Sequence, residues 1–377
     1  MAIPYGRQSI NDSDIEAVAE VLRGDWLTTG PYVDKFETAI AKLAGAAGAA
    51  VVSNGTAALH VGYRTLGIKP GDEIITTPMT FVATSAMAMH EGATMVFADV
   101  QEDTGNIDPK LVEELITPKT RAIAAVDFAG HPVDIDELRA IADKHELAFL
   151  EDAAHSIGST YRGRPVGHDA DITAFSFFPT KNMTTGEGGA VVSRDADLVA
   201  KAKLVRGQGL VRDKAKQRYP DTGDWHQEVH DIAFNYRLPD VLCNLGLSQL
   251  DRLAEFKAKR AVIFDRYVEA LSGYDDVILP GKRDYVDPLW HLFPIRVPIA
   301  RRRAIFDHLR VNGVFVQVNY MPVHWHPVFE DLGYKRDITP VANAYYEGEI
   351  SLPMFADLTE ADQDTSIRVL IEALTKA

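Results

Sequence analysis

Ala174-Phe-Ser-Phe-Phe-Pro-Thr-Lys-Asn-Met-Thr-Thr-Gly-Glu-Gly-Gly189 sets an aromatic, apolar run against a glycine-rich turn, with Lys181 at the junction. Residues Ile172 to Phe178 have the content of a buried strand, and Ala190 to Ser193 that of a second one. Burying an ammonium is costly unless something compensates. A lysine at such a strand end is either a turn residue reaching solvent or an amine in chemical use. What the rest of the chain places around it decides between the two.

Toward the N-terminus the same strand signal repeats. Short apolar runs at Ala49–Ser53, Glu73–Thr77, Thr94–Ala98, Arg121–Val126 and Ala148–Glu151 alternate with helical stretches near Ala57–Leu66, Phe81–Glu91, Leu111–Leu115 and Ile135–His145. Apolar runs that do not alternate with polar residues suit strands covered on both faces. Strand and helix in alternation predict an α/β domain with a large, mostly parallel sheet. Ahead of it, Asn11 caps a first helix with Ile15, Val18 and Leu22 on one face and Gly24 at its end, and a second helix is expected over Val33–Leu43.

Beyond Pro239 the pattern changes. Leu238 to Leu271 reads as one broken helix or two, free of glycine except Gly246. Trp290–Val297, Arg301–Arg310 and Val314–Val318 predict strand, helix and strand, and a last helix starts after Thr359 with Asp362 three residues on. The expected organisation is a large α/β domain with an N-terminal helical arm over 1–245 and a smaller C-terminal α+β domain over 246–377.

Composition bounds the function. The 377 residues are 46% hydrophobic and 25% charged, as in an ordinary soluble enzyme. No apolar run approaches the roughly 20 residues of a membrane span, and the N-terminus lacks the pattern of a secretory signal. The single cysteine, Cys243, suits a reducing cytoplasm. A net charge of -15 argues against nucleic acid as a partner. Between Lys201 and Arg218 seven basic residues face one acid, Asp213. That stretch is a solvated helix end and loop, or a clamp for an anionic substrate such as a nucleotide pyrophosphate.

Four groups of residues fall where an α/β sheet holds its ligands. Ser53-Asn-Gly-Thr-Ala-Ala-Leu59 is a strand, a tight turn and a helix start, where Gly55, Thr56 and free amides can hold a phosphate. Glu151-Asp-Ala-Ala-His-Ser-Ile-Gly158 puts Asp152 at a strand end and His155 nearby; Asp152 is a helix cap or the partner of a protonated ring nitrogen. Ser176 is a further phosphate donor, and Phe81 offers an aromatic face. Asn235 and Arg237 stand in an apolar stretch, as structural hydrogen-bonders or as site residues. A lysine, a ring-nitrogen acid, a stacking face and a phosphate cup together match pyridoxal 5′-phosphate. His324-Trp-His326 has no carboxylate or cysteine beside it, so no metal is expected.

In these motifs and their order the chain resembles the DegT/DnrJ/EryC1/StrS sugar aminotransferases, which are fold-type I pyridoxal phosphate enzymes. Trp26-Leu-Thr-Thr-Gly-Pro31, Gly186-Glu-Gly-Gly189, Asn235-Tyr-Arg237 and Leu247-Ser-Gln-Leu250 complete the likeness over nearly the whole length. The resemblance implies that Lys181 is the Schiff-base lysine, Asp152 the ring-nitrogen partner, His155 a cofactor contact, and Thr56 and Ser176 phosphate contacts. It implies a homodimer in which Asn235 reaches the partner's active site. It also implies a sugar pocket lined by Tyr5, Trp26, Leu27, Thr28, Thr29, Tyr320 and His324. Two departures stand out: Ser176-Phe-Phe178 where many members have Ser-Phe-His, and Ala233-Phe-Asn where many have Gly-Tyr-Asn.

Among family members the chain looks most like the enzymes that aminate C4 of UDP-4-keto-6-deoxy-N-acetyl sugars in pseudaminic acid synthesis. The implied reaction is a ping-pong transfer from glutamate to that keto sugar. Alternatives within the family are a TDP- or GDP-linked keto sugar, aminated at C3 or C4, or a sensor on the same fold without turnover. Relatives with dehydratase activity carry histidine at the Schiff-base position, and Lys181 argues against that class. A nicotinamide dehydrogenase is disfavoured because Gly207-Gln-Gly209 lacks the third glycine, with Arg212 in its place.

Overall fold

The computed structural model describes residues 2–376. Its main strands are β1 Gly48–Val52, β2 Glu73–Thr76, β3 Thr94–Phe97, β4 Thr120–Val126, β5 Ala148–Asp152, the short β6 Thr160–Tyr161 and β7 Arg164–Pro165, β8 Ile172–Ser176 and β9 Gly189–Ser193. Seven of them form one sheet in the order β1-β9-β8-β5-β4-β2-β3. Only β9 runs against its neighbours, and every other adjacent pair is parallel.

The sheet is buried on both faces, which explains the unbroken apolar runs. Ala50, Val52, Val191 and Ile172 face the helices Gly55–Leu66 and Ala196–Arg206. Their neighbours in sequence, Val51, Ala190, Val192 and Phe175, face the opposite core with Phe36 and Ile40. Successive strand residues point to opposite sides, so each strand serves two cores at once. Phe36 is wholly buried against Phe177, with ring centroids 5.5 Å apart. Truncating Phe36 to alanine should cost roughly 3–5 kcal/mol. The same ring explains the lone glycine of the long helical stretch, since a Cβ on Gly246 would sit 2.4 Å from Phe36.

The first helix, Asp12–Arg23, carries a reciprocal cap between Asn11 and Asp14. The stretch Leu238–Leu271 resolves into two helices, Asp240–Asp251 and Leu253–Leu271, parted at Arg252. Arg252 leaves the helical path and its guanidinium reaches Asp14 Oδ2 at 2.9 Å, tying the break to the first helix. Residue 245 lies inside the first of these helices, so the expected division at 245/246 falls within a continuous element.

The C-terminal part has its own core around Phe264, Tyr267, Trp290, Phe293 and Leu370. Two small sheets lie elsewhere: β10 Leu210–Val211 pairs with β11 Glu228–Val229, and β12 Val286–Asp287 pairs with β6, which pairs in turn with β7. In the C-terminal part β13 Phe293–Arg296 pairs with β14 Glu349–Leu352. The strand expected over Val314–Val318 is a correction. That segment makes only two isolated bridges, Ile3 to Val314 and Gln317 to Ser351. It is shared between partners on two sides, so no ladder runs along it. The final helix begins at Glu360 as expected, with Thr359 Oγ1 accepting from the Asp362 amide at 3.1 Å.

Candidate active site

Parallel strands deliver their carboxyl ends to one edge, and the candidate residues gather there. Asp152 ends β5, Ser176 ends β8, and the helix after β1 starts at Gly55. Asn54 caps that helix by accepting from the Ala57 amide at 2.8 Å, which leaves the earlier amides of Gly55 and Thr56 outside the intrahelical ladder. A Cβ on Gly55 would lie 2.7 Å from Ser176 Cβ, so only glycine lets the turn and the serine meet. The result is a cup of two amides and two hydroxyls at a helix N-terminus, suited to a phosphate.

Lys181 follows in the turn after β8, its amide held by the Phe178 carbonyl at 2.9 Å. It opens on a cavity of about 650 Å³ that also takes in Asp152, His155, Ser176, Gly55 and Thr56. Burial lowers the Lys181 amine to about 8, against the pull of Asp152. Burial pushes the Asp152 carboxyl up, although Thr84, the Ala154 amide and Lys181 all favour its ionised form. Thr84 Oγ1 donates to Asp152 Oδ2 at 2.6 Å, and the Ala154 amide to Oδ1 at 3.2 Å.

His155 lies in the same cavity with its ring 4.4 Å from that of His291, centroid to centroid. Burial, with Lys181 nearby, holds both imidazoles well below their ordinary values, so both are neutral. Nε2 of His155 meets the Tyr320 hydroxyl at 3.2 Å, and its Nδ1 is buried without a partner. Asn182 clamps the His155 and Leu289 carbonyls together at 2.7 and 2.9 Å. Arg260 holds the His291 carbonyl at 3.4 Å.

These features fit pyridoxal phosphate. A buried carboxylate raised by desolvation needs a cation beside it, and a protonated ring nitrogen is one. Lys181 is a partly deprotonated amine, and the cup at Gly55, Thr56 and Ser176 suits the phosphate. The exposed face of Phe81 and the neutral ring of His155 suit the heterocycle.

The structure brings together Tyr5, Gly55, Thr56, Phe81, Asp152, His155, Ser176, Lys181 and Tyr320. Other expected site residues lie elsewhere. His324 is fully buried, its ring 5.5 Å from Phe97 and its Nε2 3.3 Å from the Arg336 carbonyl, outside the cavity. Phe97 packs against it and the Arg336 carbonyl pairs with Nε2, while Nδ1 is buried without a partner, so the structure places it in the interior. Trp26, Leu27, Thr28 and Thr29 are all exposed and do not line the cavity. Thr29 borders a separate cleft with Arg206 and Arg237. Asn235 is exposed on a segment bridged to Gly207, also away from this chain's own cavity.

The basic stretch is less free than its sequence suggests. Lys203 and Arg206 both pair with the buried Glu37, Lys201 holds the Thr65 carbonyl at 2.8 Å, and Lys214 pairs with Asp224 at 2.5 Å. A clamp built on this loop therefore falls to Arg212, Lys216 and Arg218. Sequence reasoning missed Thr84, His291, Gln317 and Asn319. Thr80 and Thr84 at helical spacing, and His291 alone in the apolar run Trp290-His-Leu-Phe293, were the available signals.

Comparison with known proteins identifies the family. The family model of the DegT/DnrJ/EryC1/StrS aminotransferases matches residues 8–370. The spore coat polysaccharide biosynthesis protein SpsC of Bacillus subtilis is 37% identical over 374 residues, covering 98% of this chain and 96% of that protein. A Campylobacter jejuni UDP-4-amino-4,6-dideoxy-N-acetyl-beta-L-altrosamine transaminase is 35% identical over 385 residues, covering 98% and 97%. Among solved structures, Helicobacter pylori PseC, an aminotransferase involved in the biosynthesis of pseudoaminic acid, superposes with a TM-score of 0.94 at 32% identity and full coverage of both chains. The PLP-form of the sugar aminotransferase Spr1654 of Streptococcus pneumoniae gives 0.93 at 30% identity, over 100% of this chain and 99% of that one.

Proposed function

This chain belongs to the DegT/DnrJ/EryC1/StrS aminotransferase family, and from that premise we propose that it transfers an amino group from glutamate to C4 of a UDP-linked 4-keto-6-deoxy-N-acetylhexosamine. Its cofactor is pyridoxal 5′-phosphate. The observation that carries the reading is one cavity in which Lys181, Asp152 and the Gly55–Ser176 cup converge, in a chain that is similar over its whole length to the Campylobacter altrosamine transaminase.

Gly55, Thr56 and Ser176 would hold the phosphate, Phe81 and His155 would flank the ring, and Asp152 would keep the ring nitrogen protonated. Bound there, the cofactor supplies a carrier for nitrogen and a sink for the electron pair left when a carbon loses its proton. Thr84 keeps Asp152 aimed and ionised by donating to Oδ2. Lys181 Nζ, with its amine near 8, stands in both protonation states around neutral pH. It takes the proton from the substrate carbon and returns it on the other side of the transfer. His155, kept neutral, adds no charge that would compete with the ring nitrogen for Asp152.

Glutamate and the keto sugar use the site in turn, in the cytoplasm where both are available. Two copies of the chain pair so that Asn235 of each reaches the other's phosphate cup, which accounts for its exposure here. Arg212, Lys216 and Arg218 contribute to holding the pyrophosphate. A screen of 4-keto and 3-keto UDP, TDP and GDP sugars with glutamate, read by mass, tests the reading. Amination of the UDP-linked 4-keto-6-deoxy-N-acetyl sugar above all others is the expected result. Preference for a TDP or GDP sugar would move the substrate assignment, and no amination of any sugar would sink the proposal.

A further inference from the structure

The wall of the cavity contributed by Tyr5, Gln317, Asn319 and Tyr320 carries no charge, and its hydrogen bonds run in one direction. Asn319 Nδ2 donates to the Tyr5 hydroxyl at 2.7 Å and to Ser351 Oγ at 3.1 Å, which commits both of its hydrogens. When Glu349 is ionised, Ser351, having accepted, turns its own hydrogen to Glu349 Oε1. Glu349 Oε2 accepts the Asn319 backbone amide at 2.7 Å. Glu349 and Ser351 are wholly buried, at the start and middle of β14.

The order of donation has a consequence at the cavity surface. Tyr5 accepts from Asn319, so its own hydrogen is left to point elsewhere, and Tyr5 borders the cavity. Asn319 Oδ1 receives no hydrogen bond from the described residues, and Asn319 borders the same space. A donor and an acceptor therefore stand side by side, one from each residue. A secondary amide is the complementary group, since it carries one C=O to accept and one N–H to donate on adjacent atoms.

We infer that Tyr5 and Asn319 recognise an acetamido substituent on the sugar, and that Ser351 and Glu349 are positioning residues that set the sense of their hydrogen bonds. This rests on the proposed function and names the substituent that the same site reads. Glu349→Gln should reverse the chain. The new amide donates to Ser351, Ser351 turns its hydrogen to Asn319, and the Asn319 oxygen draws the Tyr5 hydrogen away from the cavity.

Calorimetric titration of the holoenzyme with UDP-N-acetylglucosamine and with UDP-glucose tests the inference without turnover. The titration is run at pH 9, where the Glu349 carboxyl, which burial pushes up to about 8, is ionised. Wild type should bind the acetamido sugar about tenfold more tightly, the worth of one well-placed hydrogen bond. Tyr5→Phe and Glu349→Gln should each bring the ratio of the two affinities to within about threefold, with thermal melts confirming folded protein. If Glu349→Gln does not fold, Ser351→Ala serves in its place. Equal affinities in wild type, an unchanged ratio in Tyr5→Phe, or no binding of either sugar would overturn the inference. The keto-sugar screen judges amino transfer separately, so the two failures cannot be confused.

Discussion

The two walls of the cavity are built differently. On the wall made by the ends of β5 and β8 and the start of the Gly55–Leu66 helix, the groups are charged and pinned by the sheet. Lys181, Asp152 and Ser176 sit within a few residues of strands whose registers leave no freedom. On the facing wall, Tyr5, Gln317, Asn319 and Tyr320 are neutral and come from segments without a continuous ladder. A charge misplaced by an ångström in a dry site costs several kcal/mol, so charge belongs where the backbone is most constrained. Neutral hydrogen-bonding groups tolerate a looser frame, and the proposed reading of the sugar falls to that wall.

Substitutions on the two walls should therefore differ in size and kind. Lys181→Ala should lower turnover by on the order of 10³-fold or more, because under the proposed mechanism it removes both the anchoring amine and the proton carrier. Tyr320→Phe on the facing wall, which also leaves His155 Nε2 without its partner, should raise KM about tenfold and lower kcat far less than Lys181→Ala does. Steady-state kinetics with the preferred keto sugar measures both, and a kcat loss in Tyr320→Phe as large as that in Lys181→Ala would erase the distinction. Asp152→Asn sharpens it further. The variant should fold, since its amide oxygen still accepts from the Ala154 amide while Thr84 Oγ1 turns its hydrogen to the Phe81 carbonyl and accepts from the new NH2, yet lose on the order of 10²-fold in kcat for want of a charge at the ring nitrogen.

The smallest effect concerns the acids behind the charged wall. Asp127 and Glu151 are buried and their charges act on each other, and desolvation, the largest cause, pushes both carboxyls up. A group raised in the native state keeps a proton that the unfolded chain has released. Its stabilisation is complete below the unfolded carboxylate value, about pH 4, and fades as pH rises through the native value. Asp127→Asn should flatten the fall in melting temperature from about pH 4 upward while leaving the acid side unchanged. Thermal melts across that range check it, and an unaltered slope would show that the pair is not the source.

Much of the charged wall was legible because each of its residues lies in one short motif at a strand end. A parallel sheet sends those ends to a single edge, so Asp152, Ser176, Lys181 and Gly55 had to meet. Thr84 was not legible, since it reaches Asp152 across 68 residues of chain. Nor was the contact of His291 with His155, made where Asn182 and Arg260 hold two distant segments together. His324 shows the opposite error: its sequence neighbours gave no sign that Phe97 would claim it. The basic run from Lys201 read as free charge because Glu37, which binds Lys203 and Arg206, lies far away in sequence.

By itself the sequence determined the alternating α/β plan and set Lys181, Asp152 and the turn at Gly55 and Thr56 at strand ends as candidates for the chemistry. Those features depend on local periodicity and on residue types at strand ends, which short stretches encode. Only the tertiary structure decided the neutral wall, the direction of its hydrogen bonds, and which cations are spent on buried acids. Such contacts join residues tens to hundreds of positions apart, and their geometry exists only once the chain has packed.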